Sequence, residues 1–307
     1  MPSATHLDDA IVKRLERQAN AIRISIIEML LEAGSGHTAG PLGMADIFTA
    51  LYFHILKHDP KKPDWPERDR LVLSNGHICP VLYATMAHAG YFPVSELKTL
   101  RKFGSRLQGH PHRDFLPMLE TSSGPLGCGL SQAVGMAIAD RMNARALQKR
   151  AESIKGADTS VATPHFIYCL LGDGELDEGN VWEAAMLAGK EKLHNLIAFV
   201  DRNNIQIDGF TENIMPLENL HAKWEAFGWH VLEIDGHNFE EIVAAVEQAK
   251  AIFDMPSIII AHTIPGKGVA EFERKYEWHG KTPNSEEAKM ALHELRTLQG
   301  RIKSEHE

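Results

Sequence analysis

Hydrophobic positions change their period along the chain, and the change sets its organisation. Over 7–33, Ile11, Leu15, Ala19, Ile22, Ile26 and Leu30 recur every three or four residues, which predicts a long helix stopped by Gly34-Ser35-Gly36-His37. Further helices are expected over 42–56, about 80–89 and 94–103, with a short strand at 70–73 running into Ser74-Asn75-Gly76-His77. Residues 104–124 are irregular and rich in Gly, Pro and His. Residues 126–150 read as a helix in which Gly127, Gly129 and Gly135 suggest close backbone approach. From 165 onward the pattern switches. Short apolar runs at 165–171, 196–200, 229–234 and 257–263 are bounded by turn residues and alternate with helical stretches at 178–192, 217–227 and 239–253. This alternation predicts an α/β fold, a three-layer arrangement of one parallel sheet with helices on both faces. The stretch 151–163 reads as an insertion-like loop, 265–268 as a loop, 271–283 as a polar segment and 285–301 as a terminal helix. No second sheet domain is visible, so the expectation is one domain over 1–307 with a C-terminal helical tail at about 285–307.

The stretch from His165 to Gly209 concentrates the chemistry. Strand, helix, strand within this length is a βαβ unit, whose two strands lie parallel and end on the same edge of the sheet. Ligands of open α/β sheets bind at that edge. The first strand ends at Gly172-Asp173-Gly174 and the second breaks at Asp201-Arg202-Asn203-Asn204, so Asp173 and Asn203 are expected side by side. A carboxylate and an amide oxygen are hard ligands, suited to Mg²⁺ or Ca²⁺ and poor for zinc. Mg²⁺ held by few protein oxygens completes its shell with water and substrate phosphates. Gly172 and Gly174 allow a diphosphate to approach the backbone, and the following helix offers free N–H groups. The residues therefore point to a metal–diphosphate site.

Composition narrows the partners. With 307 residues, 44% apolar and 24% charged, the chain is that of a globular protein able to bury a large core. A net charge of −9 argues against nucleic acid. Cys79, Cys128 and Cys169 are scattered and odd in number, which fits a reducing, cytoplasmic location. The N-terminus is polar, without a signal-peptide core, and no apolar run approaches membrane-spanning length.

Among 17 histidines, four stand in Gly- and Ser-flanked turns at expected element ends: His37, His77, His110 and His279. Together they predict a pocket lined by imidazoles, which transfer protons near neutral pH and hydrogen-bond hydroxyls or phosphates. Glu178 and Glu183 open the central helix, where acidic residues suit the helix dipole. Lys267 in Pro-Gly-Lys-Gly reads as a solvated turn lysine, and the pair His110 and His112 is a weak metal spacing.

GDGELDEG, the glutamate of VWEAA and DRNNIQIDG resemble the thiamine diphosphate (ThDP) signature, and transketolases in particular. The motifs SGH, SNGH, GHP and HG occur in the same order as in that family, so the resemblance runs from about Gly34 to His279. It implies that Asp173, Asn203 and the backbone carbonyl of Ile205 hold Mg²⁺ or Ca²⁺. His77, His279, Gly172 and Gly174 become diphosphate neighbours, and Gly124 and Leu126 offer backbone contacts to the aminopyrimidine. His37 and His110 become substrate-hydroxyl contacts and proton-transfer helpers. Glu178 and Glu183 acquire a second reading, as glutamates communicating protons across a two-fold interface. The implied reaction moves a two-carbon ketol unit from a ketose, phosphorylated in the family, to an aldose.

The sequence departs from the family at Thr38-Ala39, where Pro-Gly is usual, and at Pro111-His112-Arg113-Asp114. The second departure puts the acceptor sugar in question, with Arg113 either meeting an anionic substrate group or lying on the surface. The pyrimidine-binding domain of the family has no counterpart before Glu307. The expectation is the diphosphate-binding subunit of a split transketolase, completed by a second subunit in a two-plus-two heterotetramer. A piece of a longer chain is the other way to read this. Alternatives in function are another ThDP enzyme, of 2-oxo-acid dehydrogenase or 1-deoxyxylulose-5-phosphate synthase type, or a non-catalytic ThDP-binding subunit. No Gly-x-Gly-x-x-Gly follows a strand with a suitably spaced acidic residue, which disfavours a dinucleotide-binding oxidoreductase.

Overall fold

The computed structural model describes residues 7–152 and 165–298. In chain order its elements are α1 (Asp9–Ala33), α2 (Ala39–Gly43), α3 (Ala45–Ala50), β1 (Arg70–Leu73), α4 (Cys79–His88) and α5 (Cys128–Glu152). The central unit follows as β2 (Ile167–Gly172), α6 (Gly179–Glu191) and β3 (Leu196–Arg202). Next come β4 (Ile205–Gln206), β5 (Gly209–Phe210), α7 (Thr211–Ile214) and α8 (Leu220–Ala226), then β6 (His230–Asp235), α9 (Phe239–Lys250), β7 (Ser257–His262) and α10 (Ser285–Leu298). Among the described residues no helix is long and apolar enough to cross a membrane.

Five strands form one parallel sheet in the order β1-β2-β3-β7-β6. The central strands are buried along their whole length, as parallel strands covered on both faces must be. Tyr168, Leu170, Ile197, Phe199 and Ile259 point to one side and pack with α1, α3, α4 and α9. Ile167, Cys169, Leu171, Ala198, Val200, Ile258 and Ile260 point to the other, against α5, α6 and α8. This strict alternation makes three layers, as the sequence pattern predicts, and each fully buried aliphatic side chain contributes about 1.5–3 kcal/mol.

Several boundaries differ from the expectation for local reasons. The helix expected at 42–56 is α2 and α3 broken at Met44, followed by a π-helical turn, Leu51–Ile55. Gly43 sits at the break, where an added Cβ would stand 3.0 Å from the Ile264 carbonyl oxygen. The helix expected at 94–103 is a 3₁₀ turn, Val94–Thr99, ended where Leu100 leaves helical space (ψ 128°) and Arg101 turns left-handed (φ 60°). Gly129 at the start of α5 does face close backbone, since a Cβ there would lie 2.6 Å from Ser74 Cα, but Gly135 meets nothing within 4 Å. The hairpin β4–β5 carries too few residues to show a period, and the sequence pattern does not announce it. Most of the loop expected at 151–163, and the end of the terminal helix beyond 298, lie outside the described residues.

A buried ionic network joins the layers on the α1 side. Arg23, 1% exposed, donates both terminal nitrogens to Asp46 at 2.9 and 2.6 Å and its Nε to the Leu42 carbonyl at 3.1 Å. The Ile264 N–H donates to His237 Nε2 at 2.8 Å, so the ring proton sits on Nδ1 and reaches Asp46 Oδ2 at 2.8 Å. Burial alone would raise the Asp46 pKa, but Arg23 and His237 hold it well below the usual carboxylate range. Asp46→Ala strands a buried guanidinium and should cost about 3–5 kcal/mol, read from chemical denaturation of the ligand-free chain. A loss below about 1 kcal/mol would show that the network is dispensable.

Candidate active site

The C-terminal ends of β1, β2 and β3 open into a cleft of about 380 Å³, within the range of cofactor sites. Its lining includes His37, His77, His110, His279, Gly124, Leu126, Gly172, Asp173, Gly174, Asn203 and Ile205. All four turn histidines and every expected diphosphate or metal residue are thus brought together. Direct pairing of β2 with β3 achieves this for Asp173 and Asn203: Gly172 lies opposite Asp201, and the Asp173 N–H donates to the Asp201 carbonyl at 3.2 Å.

Each histidine is placed by a different local device. Gly34 ends α1 in the left-handed region (φ 65°) with its N–H on the Leu30 carbonyl at 2.9 Å, which turns the chain toward His37. Thr38 Oγ1 donates to the Lys281 carbonyl at 2.6 Å, tying the His37 loop to the His279 loop. His279 follows a 3₁₀ turn, Tyr276–Trp278, whose Trp278 ring lies 3.7 Å from Phe272 and carries the Lys281 ammonium at 3.9 Å. His77 rides the turn after β1. His110 is fixed through its neighbours, since the Tyr83 hydroxyl donates to the Gln108 carbonyl at 2.9 Å. The rings of His37, His77 and His279 lie 4.9–5.5 Å apart, centroid to centroid.

Three imidazoles at this spacing repel each other's protons. Burial, with the neighbouring His279, His110 and Arg101, lowers His37 to about 4. Burial and the same cluster push His77 well below 6.5, and burial lowers His279 and His110. Neutral imidazoles both accept and donate, which suits proton transfer on hydroxyls.

The same cleft carries a group of side-chain oxygens. Burial pushes Asp173 up to about 6, opposed by the Asn204 N–H at 2.6 Å, by Arg202 Nη1 at 3.2 Å and by the Gly174 N–H at 2.8 Å. Asp201, also buried, is pushed up to about 7; Thr263 donates to it and Asn203 Nδ2 reaches it at 2.8 Å. That bond and the Ile205 N–H on Asn203 Oδ1 at 3.0 Å fix the amide, with its oxygen committed to the acceptor side. Among the described residues no cluster of three His, Cys, Asp or Glu side chains is spaced for a metal. An ion here would instead use one carboxylate with amide and backbone oxygens.

Four lining residues escaped the sequence reading: Asn75, Glu175, Gln206 and Ile207. Asn75 is 1% exposed and its Oδ1 is buried without a hydrogen-bond partner, an unsatisfied acceptor at the edge of the cleft. Glu175 directly follows Gly-Asp-Gly, the one signal available for it. Glu178 and Glu183 are not in the cleft. Glu178 stands at the N-cap of α6 without a capping bond, and Glu183 is exposed beside exposed Met186 and Leu187. Lys267 is 6% exposed rather than solvated, with Glu273, Asp46 and Asp235 as charged neighbours. Arg113 lies outside the cleft, its Nε on the Leu119 carbonyl at 3.2 Å, and His112 stands 4.0 Å from Asp114.

A histidine that is neutral only in the fold contributes stability that is full above about 6.5 and lost as pH falls toward its lowered value. His37→Gln should therefore lose less melting temperature than the parent between about pH 6.5 and about pH 4.5 in the ligand-free chain. Equal losses in the two chains would contradict a buried neutral ring.

Comparison with known proteins agrees with this geometry. Residues 15–297 match the family model described as transketolase, thiamine diphosphate binding domain. The chain is 47% identical over 281 residues to the 6-deoxy-6-sulfo-D-fructose transketolase subunit SqwG of Clostridium sp. (strain MSTE9), covering 92% of this chain and 96% of that protein. It is 38% identical to one of the subunits of the apulose-4-phosphate transketolase of Phocaeicola vulgatus, covering 92% and 94%. The crystal structure of transketolase from Campylobacter jejuni superposes with a TM-score of 0.82 at 40% identity, over 94% of this chain but only 43% of that one. The chain belongs to the thiamine diphosphate-binding domain family of transketolases.

Proposed function

We propose that the chain is the diphosphate-binding subunit of a ThDP-dependent transketolase, completed by a second subunit that brings the pyrimidine-binding domain. The observation that carries this is one cleft lined both by three neutral, mutually close imidazoles and by Asp173 and Asn203. Two relatives that match over nearly their full lengths are themselves named as transketolase subunits, which supports a divided enzyme. A two-plus-two heterotetramer is the assembly we propose, with Glu178 and Glu183 near its two-fold interface, where exposed Met186 and Leu187 also lie. The chain is read as one such domain over 1–307 ending in a helical tail, placed in the cytoplasm. Its three unpaired cysteines support a reducing compartment.

The cofactor fits the residues present. Gly172 and Gly174 line the cleft without side chains, the buried Asn75 Oδ1 is left unsatisfied by the protein, and the volume suffices. The donor set of Asp173, Asn203 Oδ1 and the Ile205 carbonyl is all hard oxygen, which selects Mg²⁺ or Ca²⁺. Burial raises the proton affinity of Asp173 and Asp201, so a divalent cation supplies a counter-charge that Arg202 provides only in part. When bound, ThDP supplies the carbanion chemistry that breaks and remakes a carbon–carbon bond beside a carbonyl. The chain's own residues do the rest. Gly172–Gly174 admit the diphosphate, Gly124 and Leu126 present backbone to the aminopyrimidine, and His77 and His279 flank the diphosphate and the reacting carbon. His37 and His110 hydrogen-bond substrate hydroxyls and move protons on them. The names of the two relatives contain a sulfo group and a phosphate, which supports an anionic ketose donor.

The test is co-expression with the partner subunit, followed by a ketol-transfer assay with ThDP and Mg²⁺ on the two polypeptides separately and on their complex. Activity is expected only in the complex, and Asp173→Ala should lower kcat/KM by at least ~100-fold. Chelation with EDTA should release ThDP, and Ca²⁺ should restore binding. Retention of ThDP by the Asp173→Ala complex in EDTA would sink the metal–diphosphate reading.

A further inference from the structure

Three segments wall the cofactor cleft: the turn after β1 (Ser74–His77), the loop before α5 (Gly124–Gly127) and the turn after β2 (Gly172–Gly174). One carboxylate is bonded to all three. Glu175, 2% exposed, accepts the Gly127 N–H on Oε1 at 2.6 Å and the Gly172 N–H on Oε2 at 3.0 Å, and the Ser74 hydroxyl donates to Oε1. Ser74 Oγ in turn accepts the Gly129 N–H at 3.0 Å. Gly127 and Gly129 bracket the first residue of α5, so the carboxylate and the hydroxyl together satisfy N–H groups that a helix start leaves unpaired. Among the described residues no Lys, Arg or His pairs with Glu175; the positive end of the α5 dipole and three neutral donors face it instead. Space is tight at this junction, since a Cβ on Gly127 would stand 2.0 Å from Asn180 Oδ1 and one on Gly129 would stand 2.4 Å from Ser74 Cβ.

We propose that Glu175 is a positioning residue for the cofactor: it sets the separation of the loop presenting Gly124 and Leu126 from the turn presenting Gly172–Gly174. The inference rests on the ThDP reading of the cleft. Both carboxylate oxygens are used as acceptors, so glutamine cannot replace it: with its oxygen on Ser74 and Gly127, its NH₂ faces the Gly172 N–H, donor against donor. Losing that contact should let the two walls drift apart, weakening binding without touching the groups that move protons.

The two-subunit complex carrying Glu175→Gln should show a KM and a Kd for ThDP raised about tenfold or more, the equivalent of about 1.4 kcal/mol for one lost hydrogen bond. Its kcat at saturating ThDP should stay within about threefold of the parent. Asp46→Ala is the control, because it destabilises the fold without lining the cleft and should leave the KM for ThDP unchanged. Ser74→Ala, a smaller change that removes the Gly129 link and one bond to Glu175, should raise the KM several-fold and stands in if Glu175→Gln fails to fold. A KM for ThDP within about twofold of the parent in the folded variants, or an equal rise in Asp46→Ala, would overturn the proposal. Failure of the unaltered complex to bind ThDP would overturn the cofactor reading itself, and this inference with it.

Discussion

Direct parallel pairing of β2 with β3 is the constraint on which the site depends. Parallel neighbours end on the same edge, so the turn after each strand is delivered to one place. Register then sets the detail. Gly172 opposite Asp201 puts Asp173 beside the backbone of 201–204, where the Asp173 carboxylate accepts the Asn204 N–H and Asp201 orients the Asn203 amide. A slip of one residue would turn every side chain of the strand to the opposite layer, driving Tyr168 and Phe199 into the space that Cys169 and Ala198 now fill and leaving voids behind them, which close packing opposes. The core thus fixes the chemistry by fixing the register.

The electrostatics of the cleft follow from burial more than from partners. Imidazoles gathered within 5.5 Å lose their protons, while the carboxylates below hold theirs more tightly than in water. Both shifts reduce charge on groups that burial has stripped of part of their water. Glu175 is pushed the same way by burial, opposed by the Ser74 hydroxyl and by the Gly127 and Gly172 N–H groups, and through those three donors it knits three loops together.

Much of this was legible in the sequence because it is written in local signals. Short apolar runs ending in Gly-Asp-Gly and Asn-Asn gave the strands and their shared edge, and Gly- and Ser-flanked histidines marked the turns that meet there. Signals that depend on a distant neighbour were not legible. Lys267 looks like any turn lysine until the fold buries it in the field of Glu273, Asp46 and Asp235. Glu175 looks like an acidic residue opening a helix, and only Gly127 and Ser74, far away in sequence, reveal what it holds. Gly135 follows two glycines that do make close approaches, yet open space beside it leaves its own lack of a side chain unexplained. Met44 and Arg101 break helices that periodicity alone would continue, because the backbone there answers to packing and not to pattern.

The bond from Thr38 to the Lys281 carbonyl spans 243 positions, and α1 packs against α10. The two halves of the cleft therefore belong to different stages of chain assembly. Its oxygen-rich floor is made by β2 and β3, adjacent in sequence and able to pair as soon as both are synthesised. Its imidazole roof needs the first helix to wait for the segment around His279, at the entropic cost of closing a loop almost as long as the chain. Floor precedes roof: an emerging chain carries the Gly-Asp-Gly turn before it carries the last segment that completes the histidine cluster.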